Sequence, residues 1–180
     1  MPQVVVPRWW RMVLSAVRDV ARDALLAGGA PRDLIMGREV RDLDIFVPAA
    51  TSLPDVGRAL THLGYTYAHS APGSATEDII DQRVYTHSTE KPVNVISALA
   101  APEYRLRRHF DFGLCQAAFD GRRVITTRAF RIDASQEQFT LLQCHSLSLL
   151  TQSLVRYKKL RVKYPTFPLV LPADLPVDLQ

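Results

Sequence analysis

Between residues 24 and 48 a short apolar run stops at two consecutive glycines, and a second apolar run begins on two aspartates one residue apart. Leu25, Leu26 and Ala27 end at Gly28-Gly29. Pro31 suits the first turn of a helix, where its missing N–H costs nothing. Gly37 stands where a left-handed residue would cap that helix. Leu43, Ile45, Phe46 and Val47 make the next strand, closed by Pro48. The order is strand, glycine turn, short helix, strand.

Two features of this unit carry chemistry. Gly28 and Gly29 precede a helix start, where outward N–H groups and absent side chains admit a phosphate. Arg32 can add a charge-assisted fork to the same anion. In a strand, residues i and i+2 share a face, so the carboxylates of Asp42 and Asp44 point one way and Leu43 points into the core. At roughly 3.4 Å of rise per residue they can flank two ions about 3.5–4 Å apart. Hard carboxylate oxygens suit Mg²⁺. Alone, Gly-Gly is a turn and Asp-x-Asp is two solvated acids. Their conjunction, with Arg32-Asp33 after the glycines, points to a site.

Gly28, Gly29, Arg32, Asp33, Gly37, Asp42 and Asp44 follow one another as Gly-Gly-x-x-Arg-Asp, apolar residues, Gly, then Asp-x-Asp. This resembles the head-domain signature of class II CCA-adding enzymes and bacterial poly(A) polymerases, in the polymerase-beta-like nucleotidyltransferase superfamily. The resemblance implies that Gly28, Gly29 and Arg32 bind the incoming nucleoside triphosphate. It implies that Asp42 and Asp44 are catalytic and hold Mg²⁺, with Mn²⁺ as an alternative, and that the acceptor is a tRNA or other RNA 3′ end.

Further on, Phe110-Asp111-Phe112-Gly113-Leu114-Cys115-Gln116-Ala117-Ala118 resembles a second motif of that family, Arg-Arg-Asp-Phe-Thr-Ile-Asn-Ala-Leu. Asp111, Phe112 and Ala117 hold their places. Phe110 replaces the motif arginine, with Arg107 and Arg108 just upstream as substitutes. Arg156-Tyr157 resembles the Arg-Phe of a helical motif whose earlier arginines are Leu150 and Ser153 here. Nucleotide-binding roles for Asp111, Arg108 and Arg156 are what this implies. Asn94, in the apolar run 92–96, stands where relatives often carry a third acid. It can hydrogen-bond but adds no negative charge. The form Phe-Asp-Phe-x-x-Cys-Gln-Ala-Ala is also similar to small nucleotidyltransferase-like proteins of bacteriophages, which implies the host cytoplasm.

The 180 residues, 47% of them hydrophobic, suffice for one domain or one plus a small appendage. A net charge of +4 mildly favours an anionic partner. Cys115 and Cys144 have no metal-ligand spacing, which suits a reduced, cytoplasmic protein. No leader-like start and no run of about 18 apolar residues is present, so no membrane partner is expected.

Helical periodicity covers 9–23, where Trp9, Met12, Val13, Ala16, Val17 and Val20 share a face and the tryptophans read as core or rim. A second helix spans 52–63, capped by Ser52 and ended by Gly64. Strands are expected at 65–69, 83–86, 92–97 and 124–127, with a flexible loop at 70–80 and a hairpin turn at 88–91. His69 and His87 read as surface groups. Residues 103–109 are helical or turn-like, and 135–144 are amphipathic. The long helix 145–163 places Leu147, Leu150, Leu154, Tyr157 and Leu160 on one face. Its basic end, with Lys158, Lys159, Arg161 and Lys163, reads two ways. It is a solvated face suited to a helix C-terminus, or, with Arg107, a contact for RNA or triphosphate. From Tyr164 four prolines mark an extended tail.

The expectation is an α/β fold with a mixed, twisted sheet flanked by helices, mainly on one side. A nucleotidyltransferase-like domain covers 1–132, a helical segment 133–164 and a tail 165–180. The expected function is metal-dependent nucleotidyl transfer. The alternative is a catalytically weak nucleotide-binding or interaction module, favoured by Asn94, Phe110 and the missing helical arginines.

Overall fold

The computed structural model describes residues 4–71, 78–143 and 146–172. Seven strands form one mixed sheet in the order β3-β4-β5-β2-β1-β6-β7. They are β1 (Leu25–Ala27), β2 (Leu43–Pro48), β3 (Thr66–Ala71), β4 (Ile79–Thr86), β5 (Val93–Ala98), β6 (Ala117–Phe119) and β7 (Val124–Thr126). Only β2 and β5 pair in parallel within this sheet. The helices are α1 (Arg8–Val20), α2 (Gly29–Ile35), α3 (Leu53–Thr61), α4 (Pro102–Arg108), α5 (Arg128–Gln136) and α6 (Leu147–Lys163).

Period-two alternation sorts the sheet's side chains between two cores. Leu26, Leu43, Ile45, Val47, Val93 and Val95 face α1 and α3, and meet Trp10, Val13, Leu14, Val17, Val56 and Leu60. Leu25, Ala27, Phe46, Ile96 and Ala118 face the other way and meet Leu106 of α4. Helices therefore cover both faces. A third core joins Phe112, Leu114, Phe130, Phe139, Leu150, Tyr164 and Phe167, and docks α5 and α6 onto the segment after α4.

Several elements differ from the sequence reading. The short helix starts at Gly29, so Pro31 does fall in its first turn, and Gly37 does take φ +64 beyond its end. Strand β4 begins at Ile79 rather than 83, because its early residues pair with β5 through an irregularity near Ile79–Asp81. Residues 72–77 of the expected loop, Cys144, His145 and the tail from 173 lie outside the described residues. Where 135–144 read as amphipathic, α5 runs from Arg128 and ends at Glu137, left-handed at φ 53. Thr127 Oγ1 caps it by accepting from Phe130 N. The strand Phe139–Thr140 (β8) then pairs in parallel with Leu169–Val170 (β9), so the tail's start is paired backbone. On α6 the buried face runs through Leu150, Ser153, Tyr157 and Leu160, while Leu147 and Leu154 are exposed. Ser153 takes the inward position, where its hydroxyl donates to the partly buried carboxylate of Asp111. No described helix is long and apolar enough to cross a membrane.

Candidate active site

Asp44 and Phe46 share a face of β2, and the neighbouring residues Leu43 and Ile45 are wholly buried on the other. Asp44 therefore looks into a cleft of about 400 Å³. Gly28, Gly29 and Arg32 line it from one side, and Asp111, Ser153 and Arg156 from another. Six of the residues expected from sequence are thus brought together. Asp42 lies immediately before β2, near enough for its charge to act on Asp44.

The register places Asn94 of β5 directly beside Asp44. Its Nδ2 donates to Asp44 Oδ1 at 2.9 Å. The position expected for a third acid is therefore adjacent to the carboxylate, but it supplies a donor instead of a charge. Burial, then the like charge of Asp42, pushes the Asp44 carboxyl up to about 6; the Asn94 hydrogen bond and the charges of Arg156 and Arg32 act in opposition. Two carboxylates that repel at close range, one with an oxygen bonded only to a neutral amide, suit a divalent cation. Among the described residues no group of three or more His, Cys, Asp or Glu could hold a metal ion, so a cation there would rely on two carboxylates plus ligand oxygens.

The glycine turn is held closely. Gly28 has φ +84, and a Cβ there would stand 3.1 Å from Phe110 Cε1. Phe110 packs edge-on against Phe46, with ring centroids 5.6 Å apart. The residue replacing the motif arginine is thus the wall against which the turn is set. Gly28→Ala is expected to destabilise the fold by roughly 1–2 kcal/mol, through left-handed strain and displacement of Phe110. It should also weaken binding of a nucleoside triphosphate. Denaturant titration and calorimetric binding check this; unchanged values in both would mean that the turn adapts.

Arg32 is buried, with Nε donating to Asp33 Oδ1 at 2.7 Å and Nη1 to Cys115 Sγ at 3.3 Å. Burial raises the Cys115 thiol despite the opposing charge of Arg32. Asp111 accepts from Ser153 Oγ at 2.9 Å and from Arg156 Nη1 at 3.0 Å, which ties α6 to the cleft.

The remaining expected cations lie elsewhere. Arg107 and Arg108 are exposed at the end of α4, and Arg107 reaches Glu103. Arg105 is the α4 arginine that faces the cleft, bonded to Asp78 and 5.3 Å from the Phe46 ring centroid. Arg108 thus does not replace the missing motif arginine in the cleft, since α4 turns Arg105 and Leu106 inward and leaves Arg108 outside. Lys158, Lys159 and Arg161 are exposed along α6. Lys163 turns inward to Asp33 and to the Glu39 carbonyl, so its ammonium has structural partners. Gln82, His109, Gln143 and Gln152 also line the cleft and were not anticipated. They lie on four separate segments, and no local pattern joins them.

No protein-family model matches the sequence, and no match is found among curated proteins. Solved structures do match. A structure described as a tRNA-processing enzyme in its apo form superposes with TM-score 0.67 and 18% identity, over 93% of this chain and 45% of that one. The Thermotoga maritima CCA-adding enzyme complexed with tRNA gives TM-score 0.67 and 16% identity, over 93% and 40%. The Bacillus stearothermophilus CCA-adding enzyme in complex with CTP gives 0.61 and 19%, over 92% and 42%. The chain spans less than half the length of each. Its seven-stranded mixed sheet, with Asp44 facing the cleft, has the nucleotidyltransferase-like fold found in these CCA-adding enzymes.

Proposed function

We propose that this protein is a metal-dependent nucleotidyltransferase. It moves a nucleoside monophosphate from a nucleoside triphosphate to an acceptor hydroxyl, that of a tRNA or other RNA 3′ end. The observation that carries this reading is the convergence of Asp44, the Gly28-Gly29 turn, Arg32 and Arg156 on one cleft. The solved neighbours were captured with CTP, with ATP and with tRNA, which supports both the nucleotide and the RNA parts of the proposal.

Each side chain has a definite task. The glycine turn lets phosphate oxygens approach backbone. Arg32, held rigid by Asp33, presents a fixed positive charge. Arg156 is half-exposed and can exchange Asp111 for a phosphate oxygen. Asp42 and Asp44 would hold Mg²⁺ or Mn²⁺, which neutralises developing phosphate charge and lowers the pKa of an attacking hydroxyl. Asn94 fixes the rotamer of Asp44. In the reaction the acceptor oxygen bonds to the α-phosphorus, the bond to the bridging oxygen breaks, and pyrophosphate leaves with that electron pair. The hydroxyl proton passes to solvent or to a carboxylate.

A second reading, a nucleotide-binding or interaction module with weak catalysis, is favoured by one observation. The position beside Asp44 that could add a third negative charge is the neutral Asn94. Incubation with each labelled nucleoside triphosphate, Mg²⁺ or Mn²⁺ and a tRNA pool separates the two. Divalent-dependent label on RNA ends is expected. No label on RNA, protein or small acceptors with either metal would leave the binding module.

A further inference from the structure

On the side of the sheet away from Asp44, α1 and the turn between β6 and β7 enclose a groove of about 530 Å³. Arg11, Ser15 and Arg18 line it along α1, Arg22 follows just past the end of that helix, and Arg122 faces them from the turn. The helical part, from Arg11 to Arg18, is about 10 Å long. No apolar side chain lines the groove.

The arginines are arranged rather than merely exposed. Gly121, at φ +92, brings the turn against α1. Arg18 donates to the Asp120 carbonyl, and Arg11 Nη1 lies 3.4 Å from the Gly121 carbonyl and 3.5 Å from that of Arg122. The Asp120 carboxylate is engaged by its own turn: Oδ1 accepts N–H groups from Arg122 and Arg123, each at 2.8 Å, and Oδ2 pairs with Arg123 Nε at 3.7 Å. Asp19 is the only other acid lining the groove. Among the described residues the guanidinium groups of Arg22 and Arg122 make no ion pair or hydrogen bond within the fold. The groove thus sets four arginines against two acids.

We propose that this groove is a second binding site, for the sugar-phosphate backbone of RNA. Planar guanidinium forks match phosphate oxygens in pairs. A linear row of them suits a ligand with regularly repeated charge. A protein partner would want a buried apolar anchor, which the groove lacks. Because α1 covers the face opposite Asp44, the site grips the body of an RNA and not its reacting end. The inference rests on the RNA acceptor named above, but its test needs no turnover.

The test is fluorescence anisotropy of a labelled RNA stem-loop across a series of salt concentrations. The variant is Arg11→Ala/Arg22→Ala/Arg122→Ala, which leaves Arg18 and its carbonyl bond in place. At low salt its affinity should fall at least about tenfold, and the log–log salt slope should become shallower by about 2, near 0.7 for each lost phosphate contact on single strands and somewhat more on duplex. Nucleoside triphosphate affinity in the cleft should be unchanged. If the triple variant does not melt like the parent, Arg22→Ala/Arg122→Ala, which removes no internal contact, should lower the slope by about 1. Unchanged affinity and slope would overturn the proposal, as would equally tight binding of polyglutamate by the parent through the same arginines. RNA binding that depends on the groove with no nucleotidyl transfer would sink the enzyme reading and leave the groove standing. Transfer with no dependence on the groove would do the reverse.

Discussion

Asp44→Asn is expected to give a protein at least as stable as the parent that transfers nucleotide at least about a hundredfold more slowly, on the order of 3 kcal/mol of lost transition-state stabilisation. Asparagine keeps the shape, and its Oδ1 can still accept from Asn94 Nδ2. What disappears is a buried negative charge beside Asp42. Because burial and Asp42 raise the Asp44 carboxyl from 3.8 to about 6, the folded state binds this proton more tightly than the unfolded state does. Between those values the folded protein holds more protons, so this group makes stability rise as pH falls from about 6 towards 4, without metal. The parent's Tm should carry that component, and the Asn variant should lack it. Mg²⁺ with nucleotide should stabilise the parent through linkage and no longer stabilise the variant. Near-normal transfer by the variant, or its unfolding, would remove Asp44 from the centre of the site.

The largest effect on stability is expected at Asp33. This carboxylate is 3% exposed and accepts from Arg32, Lys163 and the Tyr164 hydroxyl, the last at 2.7 Å. Asp33→Asn leaves the guanidinium and the ammonium without their counter-charge in a buried setting, at a cost of about 3–5 kcal/mol. Denaturant unfolding measures it, and limited proteolysis should show α6 detaching first. A loss below about 1 kcal/mol would mean that water or another acid replaces Asp33.

The part of the site that depends on local rules was legible in the sequence. Alternation in β2 places Asp44 opposite Leu43 and Ile45 whatever the sheet around it. The left-handed demand at Gly37 follows from its place after an apolar turn of helix. Asn94 was singled out only by resemblance, as standing where relatives carry a third acid; that it pairs with Asp44 is set by the parallel register of β2 and β5. Nonlocal contacts escaped. Nothing near Arg105 says that it, and not Arg108, turns inward, since α4 is oriented by Leu106 packing beneath Phe46. Lys163 read as a free cation because its partner is Asp33, which no sequence period connects to it. Helix α5 was passed over because its inward residues are few, and one of them is the polar Asp133. That carboxylate accepts from Leu114 N at 2.8 Å and Thr140 N at 2.9 Å, a role that alternation cannot reveal.

The bond between Lys163 and Asp33 spans 130 positions of the chain, and that between Arg156 and Asp111 spans 45. Contacts of such range form late, because a long loop must close before they yield anything. A nascent chain can assemble the sheet around β1, β2 and β5 while Arg32 and Asp33 still lack Lys163 and Tyr164. During that interval the cleft has only part of its wall. Refolding should therefore show two signals that do not coincide: an early one from Trp10 against the sheet, and a slower recovery of nucleotide binding as α6 docks.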